Sequence, residues 1–74
     1  MVKILKEILE EVYNLQEKHE GYFDLTYEFN TDGILHVKVY VDTPKNFSTY
    51  FEKDIDNDFM LDDFISEIEN FLNN

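Results

Sequence analysis

The stretch YFDLTYEFNTDGILHVKVYVD, residues 22–42, decides the fold. Residues 22–30 alternate, with Phe23, Leu25, Tyr27 and Phe29 on one side and Tyr22, Asp24, Thr26, Glu28 and Asn30 on the other. That period of two is the mark of a half-buried strand. Residues 34–42 repeat it, with Leu35, Val37, Val39 and Val41 set against Ile34, His36, Lys38, Tyr40 and Asp42. A two-residue turn at Asp32-Gly33 sets Phe29 opposite His36 and mixes the faces. A three-residue loop with Gly33 left-handed sets Phe29 opposite Leu35 and Tyr27 opposite Val37. Only the second register buries one consistent face, so it is the expected one.

Working outward, residues 2–19 carry Ile4, Leu5, Ile8, Leu9, Val12 and Leu15 at helical spacing, with Gly21 as the stop. After the turn at residues 42–46, residues 47–54 suit a third strand, with Phe47, Thr49 and Phe51 inward and Ser48, Tyr50 and Glu52 outward. A helix capped at Thr43-Pro44 is the alternative, because Phe47, Tyr50 and Phe51 also fit helical spacing. Residues 59–72 form a second helix through Met60, Leu61, Phe64, Ile65, Ile68, Phe71 and Leu72, with Asp58 as its N-cap and Asp62 and Asp63 near the positive end of its dipole. The expected fold is α+β, in the order α-β-β-β-α. One domain, residues 1–74, has two helices packed on one face of a three-stranded antiparallel sheet.

The charge is extreme. Seventeen Asp and Glu stand against six Lys and no Arg, a net −11 on 74 residues. A small domain is well served by a magnitude of about 2–8, and a larger surplus makes the folded state repel itself. With so little core to offset that repulsion, the surplus points to a basic partner. Phosphates demand Lys and Arg, so direct nucleic-acid binding is disfavoured. There is no Cys to form a disulfide, no 18-residue apolar run to span a membrane, and an N-terminus broken by Lys3, Lys6 and Glu7. A cytoplasmic setting, in a bacterial host cell, is the expectation, and the Asn46-Phe47-Ser48 glycosylation triplet is then idle. Phe, Tyr, Met, Ile, Asn and Lys supply 33 residues while Gly, Ala, Arg and Pro supply 3. That bias matches an AT-rich genome, such as a low-GC bacterium, its phage or a plasmid.

Residues 52–74 hold eight acids and one Lys. Within them Asp54, Asp56 and Asp58 alternate. A calcium loop needs Gly at its sixth position and Glu at its twelfth, where this chain has Phe59 and Ile65. Carboxylates two apart on an extended segment lie roughly 6.5–7 Å apart, close to the spacing of successive phosphates on a nucleic-acid strand. Glu52, Asp54, Asp56, Asp58, Asp62 and Asp63 therefore form a candidate partner-binding ridge, or else a solvated cap for the second helix. Tyr22, Asp24, Tyr40, Asp42 and Tyr50, on the outer sheet face, are second candidates, since aromatics are enriched at interface centres. His36 should stand opposite Glu28, which favours its charged form, and His19 should pack at the end of the first helix. No nucleophile with a neighbouring base, no Gly-rich phosphate loop and no metal-ligand spacing is present. Enzymatic activity, cofactors and metals are not expected.

The Asn-x-Asp-Gly hairpin at Asn30 to Gly33 resembles part of a known family. So does the run of Asp54, Asp56, Asn57 and Asp58, leading into Asp62, Asp63 and Phe64-Ile65-Ser66. The family is the small acidic anti-CRISPR proteins of phages and prophages, which inhibit Cas9 by imitating DNA. The likeness covers about a third of the chain, and the spacing between the two motifs is longer here. It implies that Asp54, Asp56 and Asp58 stand in for phosphates or base edges. Cas9 reads its flanking motif with two Arg, and each can be held bidentately by a carboxylate. The expected function is a non-enzymatic inhibitor that seats itself in a basic DNA- or RNA-binding groove of a partner such as a CRISPR effector nuclease. The alternatives are an immunity or antitoxin protein that neutralises a basic nuclease toxin, and a plain acidic interaction domain. The sequence leaves the oligomeric state open.

Overall fold

The structure is a computed structural model that describes residues 2–45 and 47–73. Its elements are α1 (Val2–Lys18), β1 (Tyr22–Phe29), β2 (Leu35–Asp42), β3 (Thr49–Ile55) and α2 (Asp58–Asn73). The three strands form one antiparallel sheet in the order β1-β2-β3. The expected α-β-β-β-α architecture is the observed one.

The hairpin closes in the register that the apolar alternation demands, with Phe29 opposite Leu35 and Tyr27 opposite Val37. Asn30 N–H donates to Ile34 O at 3.2 Å and Gly33 N–H to Asn30 O at 3.1 Å, enclosing a three-residue loop. Gly33 lies at φ 86°, the left-handed conformation that loop needs. Asp32 Oδ1 accepts from Ile34 N–H at 3.2 Å and steadies the return.

Burial is one-sided. Leu35, Val37, Val39 and Val41, the inner side chains of β2, are completely buried, and their outward neighbours are only half-buried. Both helices lie on that inner side. Ile4, Ile8, Val12 and Leu15 of α1 and Leu61, Phe64, Ile65, Ile68 and Leu72 of α2 join the β2 residues, Phe23 and Ile55 in one core. Each such side chain contributes about 1.5–3 kcal/mol of transfer free energy. Phe71 of α2 meets Phe51 of β3 edge-to-face, centroids 5.3 Å apart. Lys18 and Glu69 link the helices near their C-terminal ends at 3.7 Å, on the solvent side.

Residues 49–55 are strand, and three details around them differ from expectation. Phe47 does not point inward but is 80% exposed. Pairing with β2 begins at Val41 opposite Thr49, so Phe47 precedes the ladder and has no inner face to join. Asn46, the last residue of the expected second turn, lies outside the described residues. The N-cap of α2 is Asn57 rather than Asp58: Asn57 Oδ1 accepts from Met60 N–H at 2.9 Å, and its carbonyl accepts from Leu61 N–H at 3.3 Å. Asp58 opens the first turn, where its charge complements the dipole. Tyr27 and Phe29 hold the expected register but stay 54% and 52% exposed. They lie at the end of the edge strand β1, beyond the helical cover.

Gly21 joins α1 to β1 at φ 139°. A Cβ there meets Asp42 O at 2.6 Å and Thr43 Cα at 2.9 Å, both backbone atoms, whereas a Cβ on Gly33 meets nothing within 4 Å. Gly21→Ala is expected to cost about 2–4 kcal/mol, from backbone strain plus a clash that cannot relax cheaply. Gly33→Ala should cost about 1–2 kcal/mol, from the dihedral alone. Urea denaturation of both variants checks this, and equal or reversed losses contradict the close approach at Gly21.

Candidate functional site

The outer face of the sheet is covered by neither helix, and strand register fixes its layout. Four rows cross it. Tyr22 pairs with Asp42; Asp24, Tyr40 and Tyr50 form the next row; Thr26, Lys38 and Glu52 the third; Glu28, His36 and Asp54 the fourth. Residues two apart on a strand share a face, so the first two rows make an aromatic half and the last two a charged half.

In the aromatic half the three tyrosines touch in sequence. Tyr22 and Tyr40 meet edge-on with centroids 6.0 Å apart, and Tyr40 and Tyr50 lie tilted at 5.0 Å. The Tyr40 hydroxyl and Ser48 Oγ are 2.9 Å apart, a hydrogen bond that fixes the central ring. Together with Asp24, Thr26 and Lys38, these rings line a shallow depression of about 350 Å³. Such a patch combines large, rigid, amphipathic contact area with few rotamers to freeze.

In the charged half His36 Nδ1 donates to Asp54 Oδ1 at 2.6 Å, and its Nε2 stands 3.7 Å from Glu52 Oε2. Lys38 Nζ reaches Glu52 Oε1 at 3.4 Å and lies 4.7 Å from the centroid of the Tyr50 ring. His36 faces Glu28 in register as expected, but its dominant partner is Asp54 on the other neighbouring strand. The hydrogen bond to Asp54 pushes the imidazole above its ordinary value of 6.5. The charges of Asp54, Glu52 and Glu28 add to that, and partial desolvation opposes it. Compensation is uneven: among the described residues Asp24 and Asp42, at the aromatic end, make no ion pair.

The residues singled out from sequence divide between two surfaces. Tyr22, Asp24, Tyr40, Asp42, Tyr50, Glu52 and Asp54 share the outer sheet face. Asp56 follows β3, and its carboxylate accepts from Asn57 Nδ2 at 2.9 Å. Asp58, Asp62 and Asp63 are exposed on α2, which belongs to the layer packed under the opposite face of the sheet. The alternation marked His36 and Lys38 as outward-facing, and only the β2–β3 register brings them to Asp54 and Glu52. His19 is half-buried at the end of α1, beside Thr43, Pro44 and Leu72. No group of three His, Asp or Glu is arranged to hold a metal ion among the described residues, and no helix there is long and apolar enough to cross a membrane.

No protein-family model matches the chain, and no curated protein or solved structure matches it.

Because the folded state raises the His36 pKa, His36 adds stability that is fully present below pH 6.5, the unfolded value, and is lost as pH rises through the folded pKa. An NMR titration of the imidazole should give a midpoint above 6.5 in the native protein, and Asp54→Asn should bring it down. A midpoint unchanged by that substitution contradicts the assignment of Asp54 as the principal partner.

Proposed function

We propose that this protein is a non-enzymatic inhibitor that imitates nucleic acid and occupies the basic DNA- or RNA-binding groove of a target protein. Cas9 is the target class and a phage the source, in line with the resemblance to the small acidic anti-CRISPR proteins. The observation that carries the reading is the uncovered outer sheet face, where Asp24, Glu28, Asp42, Glu52 and Asp54 stand with a single lysine on strands whose other side is the core. Glu52 and Asp54 lie on the same side of β3, two residues apart, at about the separation of successive phosphates. Asp56 continues the series past the strand end.

Two physical effects make such a surface an inhibitor. Net charge −11 steers the protein toward a basic cleft and raises its encounter rate at low salt. Once there, fixed carboxylates accept from arginine and lysine donors that would otherwise hold phosphate, in shorter and stronger charge-assisted bonds. No bond is made or broken, and inhibition is competitive with nucleic acid.

Plasmid cleavage by guide-loaded Cas9, followed as the protein is titrated in, tests the reading. The native chain should suppress cleavage, and Glu52→Lys/Asp54→Lys/Asp56→Lys should inhibit on the order of tenfold less well while keeping its circular dichroism spectrum. Asp58 is left unchanged because it supports the first turn of α2. Undiminished cleavage at saturating native protein, or full inhibition by the folded triple variant, overturns the proposal.

A further inference from the structure

The aromatic half of the outer face has features that phosphate imitation does not need. Tyr22, Tyr40 and Tyr50 form a contiguous row of rings across three strands, and Asp24 stands beside Tyr40 with no cation on it among the described residues. The depression they line is large enough for the end of a long side chain. We infer that this depression, bounded by Tyr22, Asp24, Tyr40 and Tyr50, is a seat for an arginine side chain of the basic partner. The inference rests on the reading of the protein as a binder of a basic groove and names the contact made at its centre.

The chemistry of the seat selects the guanidinium. A ring face is electron-rich and attracts a cation. A planar guanidinium can lie against a tyrosine and at the same time offer two parallel N–H donors to one carboxylate, as an ammonium cannot. Asp24 supplies that carboxylate within the row of rings. The rings already hold one cation: Lys38 lines the same depression and places its ammonium 4.7 Å from the Tyr50 centroid, where Glu52 pairs with it. Tyr22 and the exposed side of Tyr40 are left for a cation from outside. The Tyr40–Ser48 hydrogen bond sets the central ring before anything binds, which lowers the ordering cost of recognition.

A row of aromatics on an open sheet is also how some proteins stack unpaired bases. Those platforms are edged with free cations for the phosphates, whereas the one cation here, Lys38, is paired with Glu52, and Asp24 and Asp42 flank the rings on a chain of net charge −11. Charge complementarity favours the arginine.

The test titrates the native protein, by 15N NMR, with a short acetylated Gly-Arg-Gly-Arg-Gly amide, its lysine counterpart and a single-stranded oligonucleotide. The arginine peptide should shift resonances of Tyr22, Asp24, Tyr40 and Lys38 and bind about fivefold tighter than the lysine peptide. Asp24→Asn should weaken it about fivefold or more, and Tyr22→Ala to a similar degree. Glu11→Gln on the exposed side of α1, a loss of the same charge, should change it less than about twofold. Equal binding of the two peptides, equal effects of Asp24→Asn and Glu11→Gln, or oligonucleotide shifts centred on the tyrosines overturns the seat. Cas9 inhibition is read separately. A protein that inhibits but does not discriminate the peptides loses the seat and keeps the mimicry; one that discriminates but does not inhibit keeps the seat and loses the mimicry.

Discussion

The structure depends on the complete burial of one side of β2. Leu35, Val37, Val39 and Val41 have no solvent contact, and both helices contribute their apolar stripes to the same side. With both helices on that side, the other face of the sheet is left uncovered among the described residues. The same alternation that buries those four residues turns His36, Lys38, Tyr40 and Asp42 outward on the central strand, and β1 and β3 add their own outward residues in register. The candidate binding face is thus the back of the core. Its side chains stand on strands held from beneath, so their spacing is fixed before a partner arrives.

Electrostatics then divides that face. At one end Lys38 and His36 sit among Glu28, Glu52 and Asp54 and relieve part of their repulsion. At the other end Asp24 and Asp42 flank three tyrosines and make no ion pair among the described residues. A uniformly acidic coat would serve solubility. A face whose unneutralised carboxylates lie beside aromatic rings suits recognition, because the rings supply contact area and the carboxylates choose the sign of the partner. The acids of α1 and α2 add to long-range steering without belonging to this surface.

Residues 22–42 were legible because two independent constraints agree there: period-two alternation and a glycine able to take positive φ at Gly33. Helix stripes were legible for the same kind of reason. What could not be read depends on the β2–β3 register, because alternation along residues 49–55 does not say which residues of β2 they face. From that register come the exposure of Phe47, the His36–Asp54 bond, the Lys38–Glu52 pair and the contact between Tyr40 and Tyr50. The outer face was identifiable as a list of residues but not as two chemically distinct halves. The cap was misplaced by one residue because Asn57 and Asp58 are both good caps, and only backbone geometry chooses between them.

Competition is the central claim, and displacement of nucleic acid tests it most directly. Fluorescence anisotropy of a labelled target duplex on guide-loaded, cleavage-inactive Cas9 can be followed as the protein is added at several salt concentrations. The expected result is release of the duplex, with an apparent affinity for the protein that falls steeply as salt rises. A duplex that stays bound while the protein is itself bound to the complex would contradict the account.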